Sequence, residues 1–242
     1  MRVRGLMTKK QGEKPHPAGP VSDALSRRLP RYYRHLREME KEGTAYVSSK
    51  TLAADMGLTD SQVRRDLSLF GGFGRYGLGY PVAGLRESLG DILDIRRAHN
   101  CVIVGAGNIG RAVAMYPGFR EKGFLISALF DNDPAVVGKV IGGAQVLHVS
   151  ELKSYASRNK IEIAIIATPV ACAQEIMDVL ASAHVHGIWN FVPVDLGAPP
   201  GIEVCNVHLS DSLLALTFRM HEKRVMKHQE EWIGEQPGPD EG

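Results

Sequence analysis

The chain has 242 residues, 44% of them hydrophobic and 23% charged, the composition of an ordinary soluble protein that can bury one good-sized core or two smaller ones, with two domains the default. No apolar run approaches the roughly 18 residues of a membrane span, and the basic opening MRVRGLMTKKQGEKPHPAGP lacks the hydrophobic block of a secretory signal, so a cytoplasmic protein without a membrane partner is expected. A net charge of +2 conceals an asymmetry: residues 1–90 hold 16 Lys and Arg against 9 Asp and Glu, residues 91–242 hold 13 against 18, and only the first part suits a phosphate backbone.

Residues 1–24 are too polar and too rich in Pro and Gly to offset the entropy of ordering, and read as a disordered basic tail. A first helix is expected from Leu29, with Pro30 in its first turn, Tyr32, Leu36 and Met39 on one face, and Gly43 as its stop. VSSKTLAADMGL predicts a second helix with Ser49 as N-cap, Leu52 and Met56 one turn apart, and Gly57 as breaker. TDSQVRRDLSLFG predicts a third. Thr59 and Gln62 stand at capping-box spacing, while Val63, Leu67 and Phe70 fall on one face.

The opposite face of that third helix presents Ser61, Gln62 and Arg65, with Arg64 at its flank. Arg can bond guanine bidentately and Gln adenine, while hydroxyls such as those of Ser49 and Ser68 suit phosphates. The pattern predicts a helix-turn-helix in a major groove. GGFGRYGLGYPV follows as a β-hairpin wing carrying Arg75 and Tyr76, making residues 25–82 a winged-helix DNA-binding domain, with a linker helix over 83–99.

CVIVGAGNIGRAVAMY then changes the subject. A β-branched run meets Gly105, Gly107 and Gly110 in G-x-G-x-x-G spacing and continues as a helix. The glycines serve a tight turn, a close approach of pyrophosphate and close helix–strand packing, so the segment Gly105, Ala106, Gly107, Asn108, Ile109, Gly110 is expected to cradle a dinucleotide. FLISALFD ends in Asp131, 21 residues after Gly110, where an acid bonds ribose hydroxyls. Asn132 and Asp133 follow instead of arginine, which favours NAD over NADP.

GAQVLHV, SELKSYASRN, IEIAIIAT, a helix from about Ala171 to His186, and GIWNFVPV continue the alternation, predicting a Rossmann-type doubly wound parallel sheet over 100–208. Thr168, Pro169, Asn190 and Phe191 are expected at the carboxyl ends of strands near the nicotinamide. Trp189 and Phe191 would make that end apolar. Such a pocket penalises the cationic oxidised ring and favours NADH. The three cysteines, Cys101, Cys172 and Cys205, have neither metal nor disulfide spacing and are expected to be buried packing residues. Residues 209–229 predict a helix with Leu213, Leu214, Leu216 and Phe218 on a broad apolar stripe, and 230–242 a disordered tail.

Together VSSKTLAADMGL, QVRRDLSLFG, GLGY, VGAGNIGRA, YPGF, FDNDPAVVG and NFVPV resemble the Rex family of redox-sensing transcriptional repressors, over about residues 25 to 219. The resemblance implies a homodimer that binds pseudo-palindromic operator DNA, senses the NADH/NAD+ ratio, and leaves DNA when NADH binds. It implies that Arg34 and Tyr116 couple the two domains and that the carboxyl-terminal helix swaps onto the partner subunit; packing within its own domain is the alternative. The basic residue of the wing is displaced by one relative to the family's G-x-R-G, which leaves open whether Arg75 or Tyr76 reads the minor groove.

Two other functions fit parts of the pattern. A dehydrogenase with a DNA-binding appendage would need a substrate domain, and after the sixth Rossmann-like strand only one helix and a tail remain. Coenzyme A binding through a similar glycine turn is opposed by Asp131. No enzyme activity is expected.

Overall fold

The computed structural model describes residues 21–71, 74 and 78–234, with side chains as far as Met226. Arg75, Tyr76, the expected tail up to Pro20 and the residues beyond Gly234 lie outside the described residues. Two compact units meet at Arg97 and Ala98, each with a core of its own.

The first unit opens with α1 (Asp23–Lys41), capped by the Ser22 hydroxyl, which accepts from the Leu25 amide. Leu25, Leu29, Tyr32 and Leu36 form its buried stripe. The helix therefore starts six residues before Leu29 and consumes the end of the expected tail. Pro30 lies inside it. The ring forfeits one backbone hydrogen bond, but it is exposed, and the stripe on both sides of it enters a single core.

After β1 (Tyr46–Val47), α2 (Ser49–Met56) is capped by Ser48, not Ser49: the Ser48 hydroxyl accepts from the Thr51 amide at 2.9 Å. Gly57 ends it at φ +66°. In α3 (Asp60–Ser68) the Thr59 hydroxyl accepts from the Gln62 amide at 3.2 Å, and Val63, Leu67 and the following Phe70 are buried. β2 (Tyr80–Pro81) pairs antiparallel with β1, which places the end of the wing segment beside the start of α2. The helix expected as a linker, α4 (Val82–Ile92), instead puts Val82, Leu85 and Leu89 into the same core as α1. Its apolar residues recur at helical spacing, and a core partner satisfies them better than solvent.

In the second unit a sheet runs β5–β6–β4–β3–β7–β8–β9. The strands are β3 (His99–Val104), β4 (Phe124–Asp131), β5 (Val140–Ile141), β6 (Ala144–His148), β7 (Ile163–Ile166), β8 (Gly187–Asn190) and β9 (Glu203–Asn206). Every neighbouring pair is parallel except β5 with β6. The six parallel strands follow the doubly wound order, with the switch between β3 and β7. α5 (Asn108–Met115) covers one face with Val113 and Ala114, α6 (Leu152–Asn159) and α7 (Val170–Ser182) the other. From Cys101 to Val104 β3 is buried on both faces, which is why that stretch is continuously apolar. GIWNFVPV is strand only to Asn190, since Pro193 can donate nothing to a ladder.

α8 (Leu209–Gly234) closes the described chain and runs through residues expected as tail. Each of its described side chains is exposed, including Leu213 and Leu214 at 64% and Phe218 at 61%.

The expectation of three buried cysteines holds for one. Cys101 is buried on β3, while Cys172 at the start of α7 and Cys205 on the edge strand β9 are exposed. Burial, helped by the Glu162 carboxylate, pushes the Cys101 thiol up to about 12, and since the thiolate is the reactive form, Cys101 stays inert at pH 8. A thiol titration with an aromatic disulfide is expected to consume Cys172 and Cys205 first and Cys101 only after denaturant is added; prompt reaction of Cys101 in the folded protein would contradict its placement.

Candidate cofactor cleft and nucleic-acid face

The loop after β3 is shaped by two glycines that no other residue could replace. Gly105 sits at φ +103°, and a Cβ there would overlap the carbonyl of Ala167. A Cβ on Gly110 would overlap the Gly105 carbonyl. Gly107 differs: its φ is −73° and a Cβ would meet nothing within 4 Å. The open side of the loop is therefore at the N-terminus of α5, which no side chain caps, so amides of its first turn face the position a pyrophosphate would take.

Asp131, at the carboxyl end of β4, accepts from the Ala106 amide at 2.6 Å and from the Asp133 amide at 3.0 Å, so the ribose-type acid also braces the glycine loop. Thr168, after β7, has a buried hydroxyl with no hydrogen-bond partner. Gly105 and Thr168 follow the two strands that flank the switch point, where doubly wound sheets bind their ligands. The open glycine, the bare helix start, the acid and the orphaned hydroxyl together fit a dinucleotide. Pro169 is exposed at the start of α7, and Asn108 and Ile109 open α5.

One expected contact is corrected. Asn190 is fully buried; its amide donates to the carbonyls of Val192 and Val194 and to the Asn206 side chain, and its oxygen accepts from the Val192 amide. With its polar atoms spent within the protein, Asn190 braces the turn after β8 and presents nothing to a ligand. Phe191, half-buried beside it, stacks edge-on against Trp189 at 4.6 Å between centroids. Trp189 meets Phe119 at 5.6 Å and Phe119 meets Tyr116 at 4.9 Å, so contiguous rings join Phe191 to Tyr116, itself 54% exposed at the end of α5.

Arg111 was not anticipated. Its Nε donates to the Ala106 carbonyl at 2.7 Å, which brings a guanidinium to the glycine loop. The signal was its position, directly after GNIG on the helix's first turn.

On α3, Ser61, Arg65 and Ser68 are exposed opposite Val63 and Leu67. Arg65 turns its Nε toward the Ser61 carbonyl, Arg64 is exposed and paired with Asp60, and Gln62 is half-buried at the flank. Ser49 is half-buried in the first turn of α2, and Arg34 is exposed on α1. Arg34 and Tyr116 belong to different units.

Sequence reasoning also missed a buried network behind α3. Arg28 on α1 forks onto Asp66 at 2.7 and 2.9 Å, and the Tyr32 hydroxyl donates to the same carboxylate at 3.0 Å. The Asp66 hydrogen bond raises the Arg28 pKa, and burial, reinforced by the Asp66 charge, raises that of Tyr32. The signal was an acid at an apolar-face position, three residues after Val63 and four before Phe70, which demands a buried cation. Among the described residues no three His, Cys, Asp or Glu side chains group as a metal site.

The family model "Putative DNA-binding protein N-terminus" matches residues 20–68, and "CoA binding domain" matches residues 96–194. A redox-sensing transcriptional repressor Rex of Clostridium botulinum strain Hall is 44% identical over 81% of this chain and 94% of its own length. The chain belongs to the Rex family. A Thermoanaerobacter sp. strain X514 Rex is 42% identical over 86% of this chain and 92% of that protein. Among solved structures, RSP in complex with beta-NAD+ and operator DNA aligns with a TM-score of 0.81 at 41% identity, covering 90% of this chain and all of that one. RSP with beta-NADH aligns with the same score and identity over 86% and 98%. The Rex assignment bears out the expected architecture of a helical DNA-binding domain followed by a Rossmann-like sheet. Among the described residues no helix is long and apolar enough to cross a membrane.

Proposed function

We propose that this protein is a cytoplasmic redox-sensing repressor that binds operator DNA as a homodimer and is released when NADH binds. The observation that carries the reading is the 41% identical RSP, which aligns over nearly the whole chain and is named in complex with both beta-NAD+ and operator DNA. Ser61, Gln62, Arg64 and Arg65 on α3 would face base edges, with hydroxyls of Ser49 and Ser68 toward phosphates. Arg75 or Tyr76, in the segment expected from the sequence to form a wing, would add a minor-groove contact.

The cofactor would be held by the glycine loop and the start of α5, with Arg111 beside the loop and Asp131 on the adenosine ribose. Acids at 131 and 133 would repel a 2′-phosphate, so NAD(H) is preferred over NADP(H). Thr168, Pro169 and Phe191 would frame the nicotinamide end. There the Phe191 and Trp189 rings offer an uncharged wall, and desolvation disfavours the cationic oxidised ring. Arg34 and Tyr116 are the residues through which the two units would be coupled. The bound ligand is read and not consumed, as befits relatives named repressors.

Release requires that NADH bind the DNA-free arrangement more tightly than the DNA-bound one. A swing from 1:99 to 99:1 needs a difference of about 5.5 kcal/mol. We expect it to be spent on changing the separation of the two recognition helices from the roughly 34–36 Å of successive half-sites. Operator gel shifts at fixed salt across a series of NADH/NAD+ ratios are expected to show release as NADH rises. Operator occupancy independent of the ratio would overturn the reading.

A further inference from the structure

We infer that Asp66, forked by Arg28 and bonded by Tyr32, is a positioning network that sets the rotation of α3 about its own axis, and hence which residues face the DNA. The inference rests on α3 being the DNA-reading helix. One residue along a helix turns the face by about 100°. Keeping Ser61, Arg65 and Ser68 outward together therefore requires that the rotation be held within a fraction of one residue step.

The apolar partners of α3 do not supply that restraint unaided. Val63, Leu67 and Phe70 are buried with residues of α1, α2 and α4, and apolar attraction is non-directional, so it fixes how close α3 lies more firmly than how it is turned. A bidentate guanidinium–carboxylate pair does fix direction, because two parallel hydrogen bonds are lost together when either plane tilts. Asp66 lies on the core side of α3, only 5% exposed, and both its oxygens are used: Oδ1 accepts from Arg28 Nη2, Oδ2 from Arg28 Nε and from the Tyr32 hydroxyl. Tyr32 is fully buried, so the third bond cannot swing.

A neighbouring contact extends the arrangement. One turn along α1 from Arg28, Arg31 donates to the carbonyl of Met56, the last residue of α2, at 2.9 Å. Two arginines of α1 thus grip both helices of the helix-turn-helix, one at a side chain and one at a helix end. The sequence places the device within the reading segment itself: in Arg64-Arg65-Asp66 the acid is the inward member and the two bases the outward ones.

The test compares operator and unrelated duplex as ligands of the full-length protein at one salt concentration. Arg28→Lys keeps the charge and loses the fork; Tyr32→Phe keeps the ring and loses one hydrogen bond. Misplacing one bidentate base contact weakens discrimination, so the operator-to-unrelated affinity ratio is expected to fall about tenfold in Arg28→Lys and by a smaller factor in Tyr32→Phe. Affinity for the unrelated duplex and the slope of affinity against salt are expected to stay close to wild type, since neither substitution removes a cation and the Ser68 hydroxyl, which turns with α3, carries no charge. A merely structural role would lower both affinities together, in step with the folded fraction. Wild-type discrimination in a folded Arg28→Lys protein overturns the inference, as does a parallel loss on both duplexes. If Arg28→Lys does not fold, Tyr32→Phe decides alone by the same criteria. Failure of the wild-type protein itself to prefer operator would overturn the DNA-binding reading instead.

Discussion

Gly107→Val is expected to yield a repressor that binds operator normally and no longer responds to NADH. Gly107 has an ordinary negative φ, and a side chain there would meet no protein atom within 4 Å. The substitution therefore brings neither backbone strain nor a clash, and the melting temperature should move by no more than about 2 °C, the scale of a surface change. Two methyl groups would nevertheless occupy the space through which a pyrophosphate reaches the amides of α5. A loss of at least about 100-fold in NADH affinity is expected, equivalent to about 2.7 kcal/mol. Operator affinity without NADH should be that of wild type, because the first unit folds on its own set of buried residues. Gly110→Ala supplies the contrast: its Cβ would overlap the Gly105 carbonyl, so it should unfold the second unit before it blocks a ligand. Calorimetry with NADH, paired with a thermal melt, separates the two. NADH affinity in Gly107→Val within threefold of wild type would mean that the open side of the loop is not where the ligand enters.

How far these sites could be read in the sequence depended on whether the signal was local. Gly105, Gly107, Gly110 and Asp131 announce themselves because a tight turn, a close approach and an acid at strand end recur at fixed offsets within a βαβ unit. The buried Val63, Leu67 and Phe70 were equally legible from helical spacing, and they made the exposed Arg65 legible by difference. What escaped were partnerships between distant segments. Nothing near Asp66 reveals that Arg28, 38 residues earlier, will meet it. Asn190 looked like a ligand contact because polar residues at strand ends often are, and only the fold shows its amide committed to Val192, Val194 and Asn206. Pro30 misplaced the start of α1 because proline favours first turns, whereas a long buried stripe outweighed one lost hydrogen bond. The cysteines misled for a similar reason. Burial is a property of where a strand or helix lies, and β9 is an edge.

Leu213→Asp combined with Leu216→Asp is expected to turn a dimer into a monomer and to cost operator affinity by a factor on the order of 10³, within the 10²–10⁴ range over which linked binding exceeds single-site binding. Leu209, Leu213, Leu216 and Met220 fall on one helical stripe of α8, and Leu214, Phe218 and Val225 lie beside it, all of them exposed. A helix so apolar and so bare in the single chain is a surface awaiting a partner, and the proposed homodimer on an operator of two half-sites would supply a second copy. By two-fold symmetry the double substitution would place four carboxylates in the interface, each losing hydration worth several kcal/mol, which exceeds the roughly 8 kcal/mol that holds a micromolar dimer together. The cores of both units are made without these residues, so the monomer should melt cooperatively and still bind NADH. Each half-site would then be held by one α3 alone, and the advantage of simultaneous engagement would vanish. Sedimentation reads the first consequence, and titration with the full operator beside a half-site duplex reads the second. A variant that stays dimeric and keeps full operator affinity would place α8 against its own subunit and move the dimer contact to another surface of the chain.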